Sequence, residues 1–95
     1  MRRANKIDAN QNDIVAALRK AGATVRIISQ GEGIPDLLVG FRGETALLEV
    51  KDGDKPPSAR KLTTAEQKFF DEWTGGACVV VESVEDALEV LEALK

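Results

Sequence analysis

Residues 33–51, GIPDLLVGFRGETALLEVK, restrict what this chain can fold into more than any other stretch. They set three ionisable residues, Asp36, Glu49 and Lys51, into apolar runs on either side of a tight turn. Pro35-Asp36-Leu37-Leu38-Val39 is held extended by its proline and branched residues, and Ala46-Leu47-Leu48-Glu49-Val50-Lys51 reads as a second strand. Gly40-Phe41-Arg42-Gly43 between them reads as a hairpin turn.

The turn limits the register. With Arg42-Gly43 as the two loop residues, Phe41 pairs with Glu44 and Asp36 falls directly opposite Glu49. With Phe41-Arg42 as the loop, Asp36 lies diagonal to Glu49. The two registers differ by two residues, so both put the carboxylates on one face. Lys51 joins them there, whereas Leu48 and Val50 point to the other face.

Two carboxylates side by side on a sheet repel each other and lose hydration, at a cost on the order of several kcal/mol if unpaired. One lysine compensates in part. A divalent cation with oxygen ligands would compensate fully, and Mg²⁺ commonly takes one or two carboxylates together with water and substrate phosphate. On spacing alone a second reading stands beside this one. Glu49 and Lys51 can form a surface salt bridge on a solvated face, with Asp36 as a turn residue.

Composition narrows the choice. At 95 residues the chain makes one domain, with residues 1–7 expected to be flexible. There is no histidine and one cysteine, Cys78, so a histidine triad, a zinc centre and a disulfide are excluded. A reducing cytoplasm is the expected compartment, and no run approaches a signal peptide or a membrane span. Phe41, Phe69, Phe70 and Trp73 are the only aromatics, which argues against reading bases by a row of stacked rings. The net charge is −3, yet residues 82–95 alone carry five acids against one base. The remainder is slightly basic, with Arg2, Arg3 and Lys6 at the start. Lys51, Lys55, Arg60, Lys61 and Lys68 gather around the second half of the hairpin. That local positive charge suits a phosphate backbone, and a solvated basic loop would look the same.

Taken in order, Asp8-Ala9-Asn10-Gln11 has the form of a capping box, with Asp8 as N-cap and Gln11 reaching back. Gln11 also neighbours the apolar stripe of Ile14, Val15, Leu18 and Ala21, and so has a second possible direction, toward the sheet. Thr24-Val25-Arg26-Ile27-Ile28-Ser29 is a first strand. The glycines of Gln30-Gly31-Glu32-Gly33 match no P-loop or dinucleotide fingerprint, so no nucleotide cofactor is expected. Glu32 is read as a loop residue, with an extra acidic ligand as the other possibility. Residues 52–61 are too polar and proline-rich for regular structure. Thr63 and Glu66 form a second capping box ahead of a helix whose Phe69, Phe70 and Trp73 make a heavy apolar face, with Gln67 at its rim. Residues 77–81 form a continuous apolar strand, expected to be buried on both faces. Ser83 caps a last helix with Val84, Leu88, Leu91 and Leu94 inward.

The predicted fold is therefore α/β, in the order αβββαβα. It is a mixed four-stranded sheet, an antiparallel meander plus one parallel strand, flanked by helices.

Pro35-Asp36 followed across a hairpin by Glu49-Val50-Lys51, in that element order, resembles the PD-(D/E)xK nuclease superfamily. More narrowly, the phrases Gly33-Ile-Pro-Asp-Leu-Leu-Val-Gly and Leu48-Glu-Val-Lys-Asp-Gly are similar to small stand-alone phage-type members of the VRR-NUC (virus-type replication-repair nuclease) family. The resemblance implies a restriction-endonuclease-like sheet and a Mg²⁺-dependent DNA endonuclease, with Mn²⁺ as a substitute, acting on branched or flapped DNA in the host cytoplasm. It implies metal ligation by Asp36, Glu49 and the backbone carbonyl of Val50. It also implies that Lys51 orients or activates the attacking water, that Gln67 lines the site, and that the chain is a homodimer. Gln11 aligns with a position where the family often has glutamate, and an amide is the weaker ligand. Lys55, Ser58, Arg60, Lys61 and Lys68 are the candidate DNA contacts. A non-catalytic DNA-binding or assembly module of the same fold is the alternative, motivated by Gln11 and the overall acidity.

Overall fold

The predicted helical stripe forms α1, Gln11–Lys20, and buries Ile14, Val15 and Leu18 on one side. The structure, a computed structural model, describes residues 8–94. The expected flexibility of residues 1–7 and the cluster of Arg2, Arg3 and Lys6 lie outside the described residues. The N-cap of α1 is Asn10 rather than Asp8, and no side chain caps the helix. Asn10 instead donates through Nδ2 to the carbonyls of Lys51 (3.2 Å) and Glu82 (3.0 Å). The helix start is thereby tied to the ends of two strands, an outcome that local capping chemistry does not foresee.

The strands are β1 Thr24–Ile27, β2 Leu37–Phe41, β3 Glu44–Val50 and β4 Ala77–Val81, adjacent in that order. β1, β2 and β3 form the antiparallel meander, and β4 runs parallel beside β3. A helix, α2 (Thr64–Glu72), lies in the β3–β4 crossover, and α3 (Val84–Ala93) closes the order. The predicted α/β architecture is the one observed. The polar stretch after β3 contains a single 3₁₀ turn, Pro57–Ala59.

The hairpin turn settles the register. Arg42 and Gly43 both have positive φ, 54° and 82°, and Phe41 pairs with Glu44. This is the paired left-handed geometry of a tight two-residue loop, whose twist matches that of the strands. The Arg42 guanidinium lies 5.0 Å from the Phe41 ring centroid.

One sheet face carries Val25, Leu37, Val39, Ala46, Leu48, Val50 and Val81, and α1 and α3 cover it to make the core. β3 is central, and its last five residues are all buried. β4 was expected to be buried on both faces, but only Val81 is. It is an edge strand, and α2 covers little of the sheet. No residue of α2 is buried, Phe69 and Phe70 are half-buried, and Trp73 is 40% exposed. The heavy apolar face expected of this helix stays partly in solvent, with the Phe69 and Trp73 rings stacked at 5.4 Å.

Candidate metal and phosphate site

Asp36 immediately precedes β2, and its carbonyl accepts from Ile28 N (2.8 Å). The β2–β3 ladder ends at Leu37 and Leu48. One step beyond, the Asp36 carboxylate takes over: Oδ2 accepts from Val50 N (2.8 Å) and Oδ1 from Ser29 Oγ (2.8 Å). Continuing the register places Asp36 opposite Glu49. Because Lys51 N donates to Val81 on β4 (3.0 Å), the Val50 carbonyl, trans to it in the same peptide plane, points away from β4 toward the Asp36 side.

Glu49 is only 3% exposed, and its Oε1 has no hydrogen-bond partner among the described residues. Its carboxyl pKa is pushed up to about 9. Burial is the largest cause, followed by the negative charges of Asp36 and Glu66. Lys51 offsets this only in part. Lys51 itself is 8% exposed. Its Nζ lies 2.9 Å from Glu66 Oε1 and 3.6 Å from Glu49 Oε2. Burial works to lower the Lys51 pKa, but the Glu66 hydrogen bond and the Glu66, Glu49 and Asp8 charges outweigh it, and the net shift is upward. For Glu66 burial works upward, yet its bonds to Lys51 and the Thr63 backbone prevail and lower its pKa.

These groups line an open cleft of about 350 Å³, whose charged walls are Asp8, Asp36, Glu49, Lys51, Lys55 and Glu66. A separate groove of about 250 Å³, lined by Ala21, Phe41, Arg42, Leu88, Leu91 and Glu92, is mainly apolar and holds no acid pair.

Two expected site residues are not brought into the cleft. Gln67 is exposed and donates to Asp71 Oδ1 (2.9 Å), outside the cleft walls. One residue earlier, Glu66 faces Lys51 instead, 2.9 Å from its Nζ. Thr63 Oγ1 accepts from Glu66 N, and Glu66 Oε1 accepts from Thr63 N (2.9 Å), so the box forms as predicted. Gln11 is 1% exposed, does not reach back to cap α1, and does not line the cleft; its Nε2 has no partner among the described residues. The capping reading of Gln11 is corrected, and as a metal ligand it has no place in the cleft wall. Asp8 and Glu66 are the acids that sequence reasoning read only as caps. The signal for Glu66 was present as an acid in the first turn of the helix that follows the Glu-x-Lys strand.

The candidate DNA contacts divide. Lys55 pairs with Asp8 (3.4 Å) at the cleft mouth, and Arg60 pairs with Glu82 (3.0 Å) while its Nε donates to the Lys55 carbonyl. Ser58, Lys61 and Lys68 are exposed, and the two lysines form no ion pair among the described residues. Glu32 lies in the β1–β2 loop with φ 58° and is not part of the cleft.

Among the described residues no three of His, Cys, Asp and Glu converge as a ready-made ligand cluster. The donor set that suits a cation is the Asp36–Glu49 pair with the Val50 carbonyl alongside. It is hard oxygen throughout and has one buried oxygen unsatisfied. Oxygen donors of this kind are the ligand type that hard divalent cations take. Comparison of the chain with protein-family models, curated proteins and solved structures finds no match.

Proposed function

We propose that the chain is a divalent-cation-dependent DNA endonuclease of the PD-(D/E)xK kind, resembling the small VRR-NUC nucleases of phages. The observation that carries this reading is the buried, unsatisfied Glu49 carboxyl beside Asp36 and Lys51 in an open cleft. The Glu49–Lys51 contact engages Oε2 and leaves Oε1, and the Asp36 carboxylate on the same face, to be accounted for.

Hydrolysis of a phosphodiester needs an activated water and stabilisation of the charge that grows on the phosphorus oxygens. A Mg²⁺ bound at Asp36 and Glu49 supplies Lewis acidity and lowers the pKa of a bound water. Asp36 is oriented for ligation before any ion arrives, since Ser29 and the Val50 N–H fix both its oxygens. As a ligand Glu49 would serve in its carboxylate form, its proton passing to solvent in the cleft. Lys51 presents a fixed positive charge to the phosphate. Lys61 and Lys68 are free to meet the DNA backbone, and Lys55 can exchange Asp8 for a phosphate. A homodimer working in the host cytoplasm goes with this reading, through the same resemblance.

Incubating the purified protein with junction, flap and linear DNA, with Mg²⁺ or with chelator, tests it. Cleavage that needs the metal and is abolished in a folded Glu49→Ala variant is expected. No cleavage of any substrate, or cleavage that ignores chelator, would sink it. The non-catalytic module is the alternative, motivated by an amide, Gln11, where the family often has a glutamate and by the net charge of −3. DNA binding retained with a melting temperature indifferent to Mg²⁺ and Mn²⁺ would decide for that alternative.

A further inference from the structure

Lysine has a long flexible stem, and an ammonium useful in chemistry has to be held in one place. The cleft holds this one from α2. Glu66 Oε1 receives both Lys51 Nζ (2.9 Å) and the backbone N–H of Thr63 (2.9 Å). The second of these bonds pins the carboxylate to the helix start, where a negative charge is also favoured by the helix dipole. The helix start is in turn set against the loop that carries Asp36. Gly33, with φ 79°, lies so close to Ala65 that any side-chain carbon there would overlap the Ala65 carbonyl. The loop leading to Asp36, the first turn of α2 and the Lys51 ammonium are thus linked through one carboxylate.

We propose that Glu66 is a positioning residue, whose carboxylate, fixed by the α2 capping box, holds the Lys51 ammonium at the Asp36–Glu49 pair. The use of that ammonium in hydrolysis rests on the nuclease reading above, whereas the hold itself does not. Glu66 touches neither phosphate nor water in this role. It acts through Lys51, and it holds Nζ (2.9 Å) independently of the longer Lys51–Glu49 contact (3.6 Å).

Two measurements test this. The first is a double-variant cycle by thermal melting in chelator-containing buffer, using Glu66→Gln, Lys51→Met and the pair. Glutamine keeps the acceptor that the capping box needs. The expected result is a Tm loss from Glu66→Gln that mostly disappears in the Lys51→Met background. Equal losses in both backgrounds overturn the proposal. The second is steady-state cleavage of a labelled flap DNA with Mg²⁺. Glu66→Gln should lower kcat by about tenfold or more with KM within about twofold. A stability control, Ser83→Ala, removes the α3 cap at a residue that does not line the cleft and should lower Tm without lowering kcat. Unchanged or raised kcat in Glu66→Gln, or a matching kcat loss in Ser83→Ala, overturns the positioning role. A coupled Lys51–Glu66 cycle in a wild-type protein that cuts no DNA leaves the hold standing and refutes the nuclease reading instead.

Discussion

Glu49 links stability to pH more directly than any other single residue. Its carboxyl binds a proton in the fold up to pH about 9, whereas an unfolded chain releases it near the ordinary value of 4.5. Stability carried by that proton is fully present below about 4.5 and declines as pH rises toward 9. The lowered Glu66 costs stability only below about 4.5, and the raised Lys51 only above about 10.5, so neither masks the window. The wild-type Tm should therefore fall between pH 5 and 9 relative to Glu49→Gln, which stays neutral throughout. Parallel Tm curves for the two proteins would contradict the buried acid. A divalent cation competes with the same proton, and the Tm gain from Mg²⁺ should be larger at pH 9 than at pH 6. Gln11 provides a contrasting case. Replacing a buried amide whose donor is unpaired by Met should stabilise by about 1 kcal/mol in urea denaturation. It should leave the Mg²⁺-induced shift in Tm unchanged, since Gln11 lies outside the cleft wall. A lost shift would make Gln11 a ligand after all.

Among the elements, α2 is the one whose position depends least on apolar burial. It buries no residue, and its placement rests on the Glu66–Lys51 pair, the Gly33 contact and a Trp73 Nε1 bond to the Gly76 carbonyl (2.8 Å). Gly33 and Gly31 separate strain from overlap. Both have positive φ, but nothing lies near a side chain added at Gly31. Gly31→Ala should cost about 1 kcal/mol from backbone conformation alone. Gly33→Ala should cost more, about 2–3 kcal/mol, because the start of α2 has to move. Hydrogen exchange should then show faster exchange in α2 while β2 and β3 remain protected. Equal effects of the two substitutions would remove Gly33 as the spacer that sets Glu66.

At the scale of the whole molecule, acids lie on both sides of the sheet, since four of the cleft's six charged walls are Asp or Glu. The acids of α3 sit on the helix pair behind the sheet, and the cleft lies on the opposite face with Lys61 and Lys68 exposed beyond it. If these lysines meet phosphate, the double change Lys61→Ala/Lys68→Ala should weaken DNA binding. It should also reduce the salt slope of log K by about 0.9 per lost contact. Turnover at saturating DNA should stay the same. Binding with an unchanged salt slope would send the DNA path elsewhere.

The element order, the mixed sheet and the placing of Asp36 and Glu49 on one face could be read from local sequence, while the observed Arg42-Gly43 loop chose between the two registers. Alternation has a period of two, and a turn that demands two left-handed residues admits few registers, so the hairpin carries its own geometry. Helix phase is different. One residue is a rotation of about 100°, and sequence periodicity leaves that much latitude when a helix has a weak apolar face. Gln67 was expected at the site and Glu66 is found there; Gln11 was expected at a cap and is buried. In both places the side-chain direction was decided by partners distant in sequence, Lys51 for Glu66 and the strand ends gripping Asn10 for α1. The strands of the site could be read from the chain, while the residues that helices contribute to it emerged only when packing against those strands fixed each helix's rotation.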